Sequence, residues 1–143
     1  SLVTDAVEEI LRFNPAVINF RRTVTEPTEV GGQELATDDK VVVFYQAASR
    51  DEAVFENPDC FDITRPRRED VRNNHRAFGI GEHFCLGSHL ARLQLTIVFE
   101  ELTKRIRNPR RTGPSAWRPF FGVWGLKGLP IAFDAERQLE MAD

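Results

Sequence analysis

The stretch FGIGEHFCLG, Phe78 to Gly87, places a cysteine in a glycine-loosened loop just ahead of a long apolar run. Gly81 and Gly87 stand on either side of Cys85. A cysteine that only packs is a small buried hydrophobe and needs no such frame. A sulfur that must meet a bulky flat group needs backbone without Cβ atoms close by. The run that follows, Leu86 to Arg105, carries Leu90, Leu93, Ile97, Val98 and Leu102 at helical spacing with no proline, and predicts a helix. Ala91, Leu95 and Phe99 spread its apolar surface beyond one face, which predicts deep burial. Cys85 then sits at the start of a helix, where unpaired N–H groups and the helix dipole stabilise a thiolate.

A thiolate is a nucleophile or a metal ligand. As a nucleophile it has His83 and His89 near in sequence as general bases, the pattern of a cysteine hydrolase or transferase, but without a family signature. As a zinc ligand it would need Cys60, His83 and His89, whose spacing is not that of a zinc finger. Haem iron takes one axial cysteine thiolate and a glycine-permitted approach.

Working outward, the 143 residues have the length of one ordinary domain or a piece of one. With 22 acidic against 19 basic residues the net charge is −3, which disfavours a general nucleic-acid binder or a membrane-surface protein. No apolar run approaches a transmembrane length. The opening SLVTDAVEEILRF lacks a basic segment followed by a hydrophobic core, so it does not read as a secretory signal. Two cysteines, Cys60 and Cys85, are a poor disulfide framework and fit a reducing compartment, hence a cytoplasmic location, although a bridge between them is an alternative. The absence of an initiator Met and a start almost inside a helix suggest a fragment.

Residues 4–13 predict a short helix with Thr4 as N-cap, ended by Asn14-Pro15. AVINFRRTV, TEVGGQEL with its Gly31-Gly32 turn, and KVVVFYQA predict one small antiparallel sheet. SRDEAVFENP predicts a helix capped by Ser49 and closed by Asn57-Pro58. Residues 59–84 read as a long irregular segment. After Asn108-Pro109 come turn residues, the aromatic cluster WRPFFGVWG, and GLPIAFD as a terminal strand or hairpin.

The run FGIGEHFCLGSHLAR resembles, element by element, the haem-binding signature of the cytochrome P450 family: aromatic, Gly, any, Gly, any, basic, any, Cys, any, Gly. Other parts follow in the family's order. Glu9-Ile10-Leu11-Arg12 is similar to the ExxR helix, and FDITRP resembles the segment that supplies a further arginine, so the resemblance implies a structural network of Glu9, Arg12 and Arg65. It implies haem b ligated by Cys85, with Arg21 and His83 as propionate contacts and Phe78 beside the thiolate, limiting water and tuning the iron. Gly79 and Gly87 belong to the same cofactor-binding loop. The implied fold is an α+β fragment of the mainly-α P450 fold: ExxR helix, small antiparallel sheet, meander and cysteine loop, long buried helix and C-terminal hairpin. The implied unit is the C-terminal haem-binding portion, residues 1–143, of a soluble bacterial-type monooxygenase.

By the same resemblance, Val17, Ile18, Phe20, Phe121, Val123 and Trp124 are substrate-pocket candidates, and their apolar character suggests a terpenoid, fatty acid or steroid. Plain core packing is the alternative for each of them. RPRREDVRNNHR carries Arg65, Arg67, Arg68, Arg72 and Arg76, which would steer an acidic electron donor such as a ferredoxin. Two departures stand out. The interval between Arg65 and Phe78 is longer than in relatives, and no segment matches the central helix whose acid and alcohol deliver protons to oxygen. A second expectation is therefore a truncated, inactive piece that self-associates as a homo-oligomer through exposed apolar surface.

Overall fold

The computed structural model describes residues 2–65, 75–118 and 123–135. Helix α1 spans Leu2–Phe13 and buries Val7, Glu9 and Arg12, residues that helical periodicity places on neighbouring turns. It begins before Thr4, so that residue lies inside the helix and is not its cap. The amide of Asn14 still reaches the Ile10 carbonyl at 3.0 Å. The buried Pro15 then prevents any continuation.

Strands β1 (Asn19–Thr23) and β4 (Lys40–Phe44) pair antiparallel, with Asn19 opposite Phe44 and Thr23 opposite Lys40. Between them, β2 (Thr28–Val30) and β3 (Gln33–Leu35) form a hairpin of their own. The Gly31-Gly32 turn takes φ of 59° and 80°, a region that glycine enters without strain. The expected single sheet is thus two separate ribbons. Because β1 bonds directly to β4, the hairpin loops out and adds no strand to their edge.

The helix expected over residues 49–58 does not form. A short helix, α2, lies earlier at Tyr45–Ala48, and Ser49 closes it. The physical reason is competition for carbonyls: Arg12 Nη1 donates to the Ser49 and Pro58 oxygens at 3.0 and 2.7 Å, and Nη2 to the Cys60 oxygen at 3.0 Å. Residues 49–60 wrap a buried guanidinium instead of satisfying their own ladder. Irregular chain continues to Arg65 and resumes at His75, and a 3₁₀ turn at Gly81–His83 precedes α3, Ser88–Arg105.

Helix α3 packs on α1 through one side only. Leu90, Leu93, Ile97, Val98 and Leu102 are 41–59% exposed, so the deep burial expected for this helix is absent. Ala91, Leu95 and Phe99 are half-buried. The described elements are too few to cover an all-round apolar helix. Beyond it, β5 (Ile106–Arg111) pairs with β8 (Ile131–Ala135), and β6 (Ala116–Trp117) with β7 (Leu126–Gly128). Where turn residues were expected after Asn108-Pro109, the strand runs on: Asn108 takes φ of 49° and the register shifts between Arg107 and Arg110, an irregularity that admits Pro109.

The buried large apolar side chains among the described residues are Val7, Tyr45 and Phe55, and they share the interior with Glu9, Arg12, Ser49, His75 and Ser88. Such a polar interior must be held by hydrogen bonds, since unpaired polar burial is costly.

Candidate functional site

Glu9 and Arg12 lie one helical turn apart with side chains 4% and 2% exposed. Arg12 Nε and Nη2 donate to the two carboxylate oxygens of Glu9 at 2.7 Å each, a bidentate fork. Arg65 Nε approaches Glu9 Oε2 at 3.3 Å, and the Asp62 amide donates to Oε1 at 2.8 Å. Arg65 also donates to the carbonyls of Glu56, Asn57 and Cys60. Burial raises the Glu9 carboxyl, but the hydrogen bonds from Arg12 and the Asp62 amide, with the charges of Arg12 and Arg65, hold it below the ordinary carboxylate range. The cluster ties α1 to the irregular chain leading toward the cysteine loop.

That loop is built by its glycines. Gly79 has φ of 77° and is buried, with the Tyr45 hydroxyl and the His83 carbonyl 3.5 Å from where a Cβ would stand. Gly81 has φ of 69° with open space around it, so conformation, not room, demands glycine there. Gly87 differs: its φ of −80° suits any residue, and a Cβ would lie 3.9 Å from Cys85 Sγ. Of the two glycines flanking Cys85, only Gly87 clears space beside the sulfur.

The Cys85 amide donates to the Phe78 carbonyl at 2.9 Å, closing the loop on itself, and the Cys85 carbonyl accepts from the Ser88 amide at 3.1 Å. Gly87 is the helix N-cap, so Cys85 stands just before α3. Its side chain is free and exposed, as is that of Cys60, and the two form no disulfide. His83, two residues ahead of Cys85, and Arg21, on β1, are also exposed. Phe78 is half-buried, its ring packed edge-on against Phe84 at 6.4 Å. No group of three or more His, Cys, Asp and Glu side chains suited to a metal ion occurs among the described residues.

A second polar cluster, unforeseen from the sequence, lies against Phe78. Glu8 Oε1 accepts from Arg92 Nε at 2.7 Å, and Glu8 Oε2 pairs with His75 Nε2 at 3.0 Å. Burial raises the Glu8 carboxyl, but hydrogen bonds from His75 and Arg92 outweigh it and lower the value to about 2. The Arg92 guanidinium lies 4.7 Å over the Phe78 ring. The sole sequence signal was the adjacency of two acids, Glu8 and Glu9, on a helix turn that buries one of them.

The apolar candidates come from both ends of the chain. Val17 and Ile18 are half-buried and Phe20 is 50% exposed on β1. The Trp124 amide donates to the Ala16 carbonyl at 2.6 Å, which sets Val123 and Trp124 beside the stretch that holds Val17 and Ile18. Trp124 stacks with Trp117 at 4.9 Å. Phe121 lies outside the described residues, as do Arg67, Arg68 and Arg72.

Comparison with known proteins decides the family, for residues 1–107 match that of cytochrome P450. The chain belongs to the cytochrome P450 family. It is 41% identical over 133 residues to cytochrome P450-terp of a Pseudomonas species, covering 93% of this chain and 30% of that protein. It is 44% identical over 106 residues to linalool 8-monooxygenase of Pseudomonas putida, covering 74% and 25%. To a steroid C26-monooxygenase of Mycobacterium tuberculosis it is 38% identical over 136 residues, covering 93% and 35%. Among solved structures, P450BioI in complex with an acyl carrier protein ligated to hexadec-9Z-enoic acid superimposes with a TM-score of 0.85 at 37% identity, over 93% of this chain and 34% of that one. The chain therefore spans about a third, or less, of the length of these P450 relatives. Its few helices and small antiparallel ribbons form a piece of the P450 fold. No helix among the described residues is long and apolar enough to cross a membrane.

Proposed function

We propose that this chain supplies the C-terminal, haem-ligating portion of a P450 monooxygenase acting on a hydrophobic small molecule. The observation that carries the reading is Cys85: an exposed, unpaired thiol on a glycine-shaped loop at the head of α3, inside an unbroken family signature. The donor set fits haem. One cysteine sulfur is available for the iron, an exposed Arg21 and His83 for the propionates, and the side of the sulfur next to Gly87 carries no Cβ. When bound, haem with a thiolate ligand supplies the oxygen chemistry, inserting one atom of O2 into substrate and reducing the other to water with electrons from a redox partner.

The chain's own residues have narrower tasks. Cys85 would ligate the iron, Phe78 would lie beside it and limit water once haem is bound, and Gly79 and Gly81 hold the loop's left-handed turns. Val17, Ile18, Phe20, Val123 and Trp124 form an apolar wall for substrate, held together by the bond from Trp124 to Ala16. The names of the linalool and steroid relatives and the fatty acid in P450BioI support a hydrophobic substrate. An acidic ferredoxin-type donor would be steered by the basic run of sequence that includes Arg76; Arg65 is committed to Glu9 and to backbone carbonyls and adds little steering charge.

A second reading has its own observation. The exposed Leu90, Leu93 and Ile97 on α3 suit a chain that self-associates without catalysis. The absorption spectrum of the purified protein, reduced and exposed to carbon monoxide, separates the two. A strongly red-shifted Soret band is expected for thiolate-ligated haem. An absent or unshifted band in a large oligomer favours the inactive reading.

A further inference from the structure

Glu8 and Glu9 are neighbours on α1 that serve different clusters, and the Glu8 cluster leads to the cysteine. His75 Nδ1 accepts from the Ala77 amide at 3.3 Å, which assigns the ring proton to Nε2, where it is donated to Glu8. Arg92 closes a second hydrogen bond to Glu8 Oε2 at 3.3 Å. The side chains of His75, Glu8 and Arg92 are 4%, 14% and 18% exposed, so this is no solvated surface pair. The Arg76 amide donates to the buried Ser49 Oγ at 3.0 Å, fixing the next residue as well. Phe78 packs against the cluster, its ring 4.7 Å from the Arg92 guanidinium and 6.2 Å from the His75 ring. Phe78 then accepts the Cys85 amide. A cavity of 390 Å³ whose lining includes His75, Phe78, Phe84 and Arg92 borders the assembly, so looseness in the cluster has space to become movement of the Phe78 ring.

We infer that Glu8, His75 and Arg92 are positioning residues for the cysteine loop: they fix Phe78 between α1 and α3, and Phe78 fixes the backbone of Cys85. The consequence for iron ligation rests on the haem-thiolate reading above, whereas the consequence for the loop does not. The effect of the three passes through one ring and one backbone hydrogen bond, the short contiguous kind of coupling that a point substitution can interrupt.

The test uses the full chain with Glu8→Gln and Arg92→Ala, and Glu101→Gln as the control. Glu101 pairs with Lys104 and Arg105 on the solvent side of the same α3. Amide hydrogen exchange at Cys85 is expected to accelerate about tenfold in both cluster variants, with amides of residues 9–12 unchanged and the control equal to the parent. Unchanged exchange at Cys85, or equal acceleration throughout the chain, overturns the inference. In haem-loaded protein, reduced with carbon monoxide, E8Q and R92A are expected to shift intensity from the red-shifted to the unshifted Soret band at equal haem content, with Arg92→Lys recovering part of it. Identical spectra in all variants overturn the role at the iron. Failure of the haem reading itself looks different: the parent chain shows no haem band, and the exchange measurement alone then decides.

Discussion

Around Glu9 the buried charge is answered on every side, by two guanidinium groups, a backbone amide and a ring of carbonyls, whereas along α3 the side chains of Leu90, Leu93 and Ile97 stand 50–59% exposed. The first region is internally satisfied. The second offers apolar surface that nothing among the described residues covers. A chain can therefore hold the geometry of its cysteine loop with polar bonds while leaving the hydrophobic contribution to be made by other surface.

Removing one partner from the satisfied region should have the largest effect. Arg12→Ala leaves Glu9 buried without its fork and frees three backbone carbonyls, and it should cost about 3–5 kcal/mol, measured as a lower midpoint in urea. Acid tests the Glu8 side of the same helix. A carboxyl lowered from 4.5 to about 2 in the folded state contributes stability at neutral pH that is lost as pH falls from about 4.5 toward 2. That loss should be on the order of 2–3 kcal/mol, and a urea titration of Glu8→Gln across this range should give a flatter profile than the parent. Glu9, held low in the same direction, leaves the variant some residual slope. At the small end, Leu93→Ser on the uncovered face should change stability by no more than about 0.5 kcal/mol while reducing self-association in sedimentation. A large loss of stability there would mean that α3 is packed in solution, and the contrast between the regions would fail.

Much of this was readable in residues. Helices α1 and α3 and strands β1 and β4 follow from periodicity and β-branched runs, and the family from the spacing around Cys85. The misplaced helix at 49–58 marks where local propensity lost to a distant cation: nothing in SRDEAVFENP announces that Arg12 will take its carbonyls. The pairing of β5 with β8 was hidden for a related reason, since register across a long intervening segment is set by tertiary packing and not by either strand. Burial of α3 was overestimated because apolarity reports what a helix can bury, not what is present to bury it. The Glu8, His75 and Arg92 cluster joins three distant positions, each of an unremarkable residue type, and no spacing rule links them.

The bond from the Trp124 amide to the Ala16 carbonyl bears on the order in which the molecule can be made. All residues of the Glu9 cluster have been synthesised once the ribosome has passed Arg65, but the edge at Ala16 must wait for Trp124. At translation rates of about 5–20 residues per second that wait lasts several seconds. During it the nascent chain carries an open apolar margin at Val17 and Ile18. A chaperone that binds short apolar segments is expected to find its site there, and to be displaced when the last ribbons arrive.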